Sequence, residues 1–395
     1  MSSFFDFDYK IIDPDPRGIF SEQVKDCAQQ LGKLYEGLDE KAIIVRANWF
    51  FRISKDSSCT KIHSSVLEAM SSEGLLTIPF TIVAERPVGE NHVQLVVCII
   101  ENFQGEVLSE AGKSGENVYC RVKYDNQEWL FTGGSGCFEE EQGIRESSNR
   151  AFVDVKSVMA LEGFSFSSIL RQWNYIPGIV EEETNDDGQV IQHYQEFNDV
   201  RAEWYHKEGL KQDFPAATGI GVAGGGVVIE VIAFKSDIGH QILTLHNPEQ
   251  SDAHRYSPIQ LVGAKAFETP RFERGKLIIS KGKGHIWVSG TAAIRGEDSV
   301  PGNIVEQSRI TCENIEALIS RENLLNAGLE AGDYSTQPIY IRAYVKLPEH
   351  GQMVQQYLEK RYRGASIHVL QANVCRDELL VEVEGEFSIR QCANE

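Results

Sequence analysis

The chain has 395 residues, 42% hydrophobic and 24% charged, the balance of a folded globular protein and not of a disordered, collagenous or coiled-coil chain. Its 38 Lys and Arg against 58 Asp and Glu leave a formal charge of −20, which repels a phosphate backbone and argues against a nucleic-acid partner. The longest apolar runs, in HVQLVVCII and VVIEVIAF, fall far short of the roughly 20 residues of a spanning helix, so no membrane partner is expected. The opening MSSFFDFDYK has no basic stretch before an apolar core, and a cytoplasmic location is the expectation. Eight cysteines without a CxxC pair, and histidines without an HExxH, predict neither a disulfide framework nor a metal.

In chain order, residues 42–53 (AIIVRANWFFRI) and 92–103 (HVQLVVCIIENF) read as strands and 65–75 (SVLEAMSSEGL) as a helix, so the first 115 residues fold. Residues 128–163 then give an apolar strand, a small-residue turn (Thr132-Gly133-Gly134-Ser135) and an amphipathic helix. Residues 285–320 repeat that order, with Ser289-Gly290-Thr291-Ala292 at the turn and Ile304, Ile310, Ile315 and Leu318 as the helix stripe. After each helix come a further strand (SILRQWNYI; QPIYIRAYVKL), a second helical stretch and a closing strand, GVVIEVIAF at 226–234 or LLVEVEGEF at 379–387. Glu230 and Glu382 sit at matching places, 152 residues apart. The duplication predicts an α+β fold of tandem sandwiches, each a mixed sheet with helices on one face, divided as 1–115, 116–250 and 251–395. Whether residues 1–115 form a degenerate third copy or extend the sheet of the first copy stays open. The acidic EEETNDDGQ (181–189) reads as a loop, and HNPEQSDAHRYSP (246–258) as the break between copies.

Three places could carry chemistry. In LLVEVEGEF, Val381 and Val383 point one way while Glu382, Glu384 and Glu386 point the other. If another domain covers that face, mutual repulsion and burial keep at least one carboxyl protonated near neutrality; otherwise it is a solvated sheet face. Between 194 and 226, Tyr194, Phe197, Arg201 and Trp204 or Tyr205 recur at helical spacing, ahead of small residues Pro215 to Gly221 that let backbone approach a ligand. Arg201 there is a carboxylate holder or a surface residue paired with Glu203 or Asp199. GIGVAGGG follows a helix and precedes a strand, the reverse of a dinucleotide fingerprint. Finally, Arg255, Arg271 and Arg274 gather positive charge at the junction of the copies, where an anionic small molecule could bind.

The copy at 276–392 resembles the YjgF / reactive-intermediate deaminase family in its SGTAA turn (289–293), the helix after it and its VEVEGEF strand (381–387). With WNYIPGI (173–179), the F-x-x-x-R of Phe197 and Arg201, PAATGIG (215–221), Asn247, Pro248 and Gln250 as NPxQ, RYSP (255–258), GTAA (290–293) and CRDELLVEVEG (375–385), residues 116–395 resemble the chorismatases more closely. That resemblance implies tandem YjgF-like, chorismate-mutase-like sandwiches that hydrolyse the enol ether of chorismate. The products would be pyruvate and either a dihydroxycyclohexadiene carboxylate or a hydroxybenzoate, with no cofactor or metal. It implies Glu382 as the acid and Arg201 as the holder of a substrate carboxylate, with Arg255 a second holder and Arg274 and Arg342 further candidates. Thr218 and Gly219 would line the pocket beside Tyr194, Glu384 would raise the acid's pKa, and Cys375 lies where members differ according to product. The chain departs from the family at Arg295-Gly296-Glu297-Asp298-Ser299, where Glu297 stands in place of a histidine. The chemistry asks for these residue types. An enol ether opens when its terminal methylene carbon is protonated, and a free glutamate of pKa about 4.3 is ionised at neutral pH unless its site raises that value. A YjgF-type enamine or imine deaminase and a non-catalytic binder of a cyclic or aromatic carboxylate fit the same residues, and monomer and homo-oligomer both stay open.

Overall fold

The computed structural model describes residues 5–53, 58–103, 105–114, 117–124, 126–136, 143–184, 188, 190–237, 239–257 and 268–392. The first sheet is built from β1 (Asp6–Ile12), β2 (Ile43–Phe51), β3 (Phe80–Val83) and β4 (Val93–Glu101), in the order β1-β4-β2-β3, with α1 (Phe20–Glu36) and α2 (Cys59–Ser72) after β1 and β2. The second contains β5 (Glu106–Ser114), β6 (Asn117–Tyr124), β7 (Gln127–Thr132), β8 (Ile169–Pro177), β9 (Ala216–Val222) and β10 (Val228–Ser236), in the order β5-β6-β7-β10-β8-β9. Its helices are α3 (Ile144–Leu161), after β7, and α4 (His193–Lys207), after β8. The third contains β11 (Gln241–Leu245), β12 (Gly275–Ser280), β13 (Lys283–Ala292), β14 (Tyr334–Val345), β15 (Ser366–Gln371) and β16 (Val381–Gln391), ordered β11-β12-β13-β16-β14-β15. Here α5 (Ile304–Leu318) follows β13 and α6 (Gly351–Arg361) precedes β15.

Counted along the chain, the second and third sheets share the strand order 1-2-3-6-4-5, and the first sheet has the order of the last four strands of that pattern, with helices at the same two places. It is a separate sheet and not an extension of the second. The divisions at 115/116 and 250/251 both fall inside paired units. Strand β5 pairs antiparallel with β6, and β11 with β12, because hairpin partners must share a sheet. The expected helix at 65–75 begins earlier, at Cys59, where the Ser58 side chain caps the Lys61 amide. The 181–189 loop is flanked by a short pairing of Glu182–Thr184 with Val190–Gln192; residues 185–187 and 189 lie outside the described residues, as does Pro258 of RYSP.

Each later sheet buries one face under its own helices, and the opposite faces of all three sheets share one central core. Phe7 of β1, Trp129 of β7 and Trp287 of β13 meet there with ring centroids 6.3, 6.3 and 6.1 Å apart, one aromatic ring from each sheet. The face of β16 carrying Glu382, Glu384 and Glu386 points into this centre, where all three are at most 5% exposed. Helix α4 is set by its termini: Glu196 in the first turn and His206 and Lys207 in the last match the helix dipole. Gly209, at φ 77, then takes the left-handed turn that lets the Leu210 amide bond the Tyr205 carbonyl. That seats Phe197, Arg201 and Tyr205 on the buried side. Among the described residues no helix is long and apolar enough to cross a membrane.

Candidate active site

A cavity of about 350 Å³ opens between the second and third sheets. Tyr194, Asn198 and Arg201 reach it from α4, Ala217 and Gly219 from β9, Gly290 and Ala292 from β13, and Glu382 from β16. Tyr256, Phe272 and Arg274 close it from the connection between the copies, and Cys375 and Arg376 from the segment before β16. Bonds donated by backbone amides staple its two walls: Ala217 N–H donates to the Ser289 side-chain Oγ at 2.9 Å and Glu273 N–H to the Pro215 carbonyl at 3.1 Å. Two glycines are required by close approach. A Cβ on Gly290 would lie 2.0 Å from Glu382 Oε1, and one on Gly219 would lie 3.0 Å from the Tyr194 ring.

The three carboxylates of β16 meet different fates although they share one face. Glu384 accepts from Arg171 (2.7 Å), Thr218 Oγ1 (2.5 Å) and Trp173 Nε1 (2.9 Å), with Arg342 at 3.3 Å, so it is fully engaged. Glu386 accepts from Tyr9 OH at 2.7 Å, with His285 at 3.1 Å and Arg46 at 3.7 Å; these partners outweigh burial and hold its carboxyl below the usual range. Glu382 has no ion pair within reach among the described residues, and burial, followed by the neighbouring Glu384, pushes its pKa up to about 8 against the pull of Arg171 and Arg274. At neutral pH it therefore keeps its proton and faces the cavity.

The cationic side is equally distinct. Arg201 is 1% exposed; its Nη2 donates to Asn198 Oδ1 at 2.6 Å and its guanidinium lies over Phe197 and Phe272. Arg274 donates to the Ser251 carbonyl and, at 2.6 Å, to Tyr256 OH. Arg376 donates to the Glu297 carbonyl at 2.9 Å and Ser299 Oγ at 3.1 Å. None of the three has a carboxylate partner among the described residues, so their charge is directed at whatever anion enters.

Glu382, Arg201, Arg274, Tyr194, Gly219 and Cys375 are thus brought together, and the sheet-face acids are buried and not solvated. Burial raises the Cys375 thiol to about 12, which leaves it a small neutral wall. Four candidates lie elsewhere. Arg255 is a surface residue, 3.6 Å from Asp252, on a short turn that points it outward. Arg342 is buried behind the site among Tyr340, Tyr175 and Tyr344, neutralising Glu384. Thr218 alternates away from Ala217 and Gly219 along β9 and serves Glu384, while Glu384 itself does not line the cavity and acts on Glu382 through its charge. Glu297, at the family's histidine position, accepts from Ser257 N–H (2.8 Å) and Oγ (2.6 Å), bonds that hold its carboxyl below the usual range and tie down the segment carrying Tyr256. Sequence reasoning missed Arg171, Asn198, Phe272 and Arg376; an arginine inside the apolar strand ILRQWNYIP was the one signal for Arg171.

The fold and site define an α+β protein with a buried carboxylic acid facing a guanidinium-lined cavity. A family model described as chorismatase FkbO/Hyg5-like, N-terminal, matches residues 106–233. A 3-hydroxybenzoate synthase of Streptomyces hygroscopicus is 36% identical over 61% of this chain and 68% of its own length. A chorismatase of Streptomyces rapamycinicus is 34% identical over 72% of this chain and 81% of its own. A chorismatase crystal structure superposes with a TM-score of 0.68 at 21% identity, covering 96% of this chain and 99% of that one, which shows the shared fold. The chain belongs to the chorismatase family.

Proposed function

We propose that this protein hydrolyses the enol ether of chorismate, releasing pyruvate, with Glu382 as general acid. One observation carries the reading: a carboxyl with its pKa raised to about 8 faces a cavity whose guanidinium groups lack carboxylate partners among the described residues. Chorismate is a dianion, and Arg201 and Arg274 offer a fork to its two carboxylates. Glu382 gives its proton to the methylene carbon of the enolpyruvyl group, and the electron pair of the C=C bond forms the new C–H bond. The resulting oxocarbenium ion is stabilised by the carboxylate left beside it and is captured by water, and collapse of the hemiketal expels pyruvate. General acid help of this kind contributes about 10²–10⁴ in rate. The ring product we infer is a hydroxybenzoate, which needs loss of one water after hydrolysis; the Cys375 wall and the family relative named as a 3-hydroxybenzoate synthase support it.

Incubating purified protein with chorismate, following pyruvate through lactate dehydrogenase and identifying the ring product by NMR tests this. Pyruvate with a hydroxybenzoate is expected. Unconsumed chorismate would refute the activity, and pyruvate with a dihydroxycyclohexadiene carboxylate would refute the product alone.

A further inference from the structure

Outside the cavity, next to Arg274 in the chain, three metal-ligating side chains converge and a fourth, His254, approaches one of them. His246, Asp252 and Glu273 each offer one ligand atom, and these atoms all lie within 4.8 Å of one another. His254 Nδ1 is 4.0 Å from Glu273 Oε2. Glu273 is 3% exposed; its Oε1 accepts from the Phe214 amide at 3.1 Å, but its Oε2 and His254 Nδ1 are buried without a hydrogen-bond partner. A buried carboxylate oxygen left unpaired is costly, and a cation between it and the unpaired imidazole nitrogen would satisfy both.

We propose that His246, His254, Asp252 and Glu273 form a structural site for one divalent transition-metal cation, zinc by ligand chemistry. Two imidazoles and two carboxylates suit zinc, whereas calcium and magnesium take oxygen-rich sets. Bonds of about 2.0–2.2 Å in a tetrahedron place ligand atoms about 3.4 Å apart, so His246, Asp252 and Glu273 need only a modest contraction, and His254 must swing in from Glu273 to complete the set. Local charge points the same way. The Lys276 ammonium is near Glu273 but already bonded to the Asp213 carbonyl (3.2 Å) and Thr244 Oγ1 (2.7 Å), and Arg255 pairs with Asp252 Oδ2 at 3.6 Å. Two cations beside two carboxylates leave little net negative charge to attract a hard ion, so binding must come from directional nitrogen and oxygen bonds.

The site would act as a clamp. Glu273 precedes Arg274, and Asp252 follows Ser251, whose carbonyl accepts from Arg274 at 2.6 Å. One ion would therefore fix both ends of the segment that sets the cavity arginine and Tyr256, without touching the reacting atoms.

The test uses the full chain, stripped with a chelator and then titrated with zinc sulfate. One equivalent should bind and raise the melting temperature, and cobalt(II) should give the d–d absorption of a tetrahedral nitrogen–oxygen site. His246→Gln, on an exposed side chain that leaves folding intact, and Glu273→Gln should each weaken zinc binding by at least the about 10- to 100-fold that loss of an outer-shell partner costs. No binding by the parent protein, parent-like affinity in both variants, or a cobalt spectrum carrying thiolate charge transfer would each overturn the assignment.

Discussion

Replacing Glu382 with Gln keeps the shape and removes the proton, and the consequences for rate and stability have opposite signs. Turnover should fall by about 10²–10⁴, the contribution of a positioned acid. Stability should rise. The unfolded glutamate ionises above its ordinary 4.5, whereas the folded group keeps its proton up to about 8, so folding of the parent protein is penalised increasingly as pH climbs from 4.5 through 8. At 1.36 kcal/mol per unit, the penalty is on the order of 3 kcal/mol at pH 7 and about 5 kcal/mol above pH 8. With Glu382 5% exposed, solvent screens little of this. Glutamine carries no such penalty. For a two-state chain of this length, 3 kcal/mol is a rise in Tm of roughly 4 °C. Differential scanning calorimetry of both proteins at pH 4.5, 7 and 8.5, beside pyruvate release, measures it: the gap should be near zero at the lowest pH and widest at the highest. A variant less stable than its parent at pH 8.5, or one with full turnover, would refute the reasoning.

Activity of the parent protein should fall as pH rises through about 8, where Glu382 loses its proton, and a pH–kcat profile flat across that region would contradict it. Gly290→Ala puts a methyl group 2.0 Å from Glu382 Oε1 and 3.2 Å from Thr218 Cγ2, so kcat should drop by about 10² or more from misplacement of the acid, measurable by single-turnover kinetics. Arg201→Lys loses the fork toward a substrate carboxylate and should raise KM about 10- to 100-fold with kcat little changed. Arg255→Ala removes an exposed ion pair contributing about 0–1 kcal/mol and should change kcat/KM by less than about twofold.

The duplication and the row of buried carboxylates were readable because both leave periodic marks. The Val/Glu alternation of β16 names the carboxylates on one face, and the spacing of Tyr194, Phe197 and Arg201 names one side of a helix. Which neighbour each carboxylate meets depends on how three sheets converge, and that has no local signature. Arg171, Thr218 and Arg342 all converge on Glu384 from different strands, so their roles as its partners, and not as substrate ligands, come from tertiary packing alone. Arg255 and Arg274 looked alike in sequence; a short turn sends one outward while strand β12, beginning at Gly275, draws the other in. The first sheet stayed ambiguous because its pattern lacks the leading hairpin of the other two, and because its strand before the first helix, β1, is followed by Asp13-Pro14-Asp15-Pro16 where the others carry a small-residue turn.

Infrared difference spectroscopy of the parent protein against Glu382→Gln, taken across a pH series, isolates one carboxyl group among many. A raised acid pKa predicts a protonated C=O band at pH 7 that gives way to the carboxylate bands near pH 8. A difference spectrum already showing carboxylate at pH 6 would contradict it.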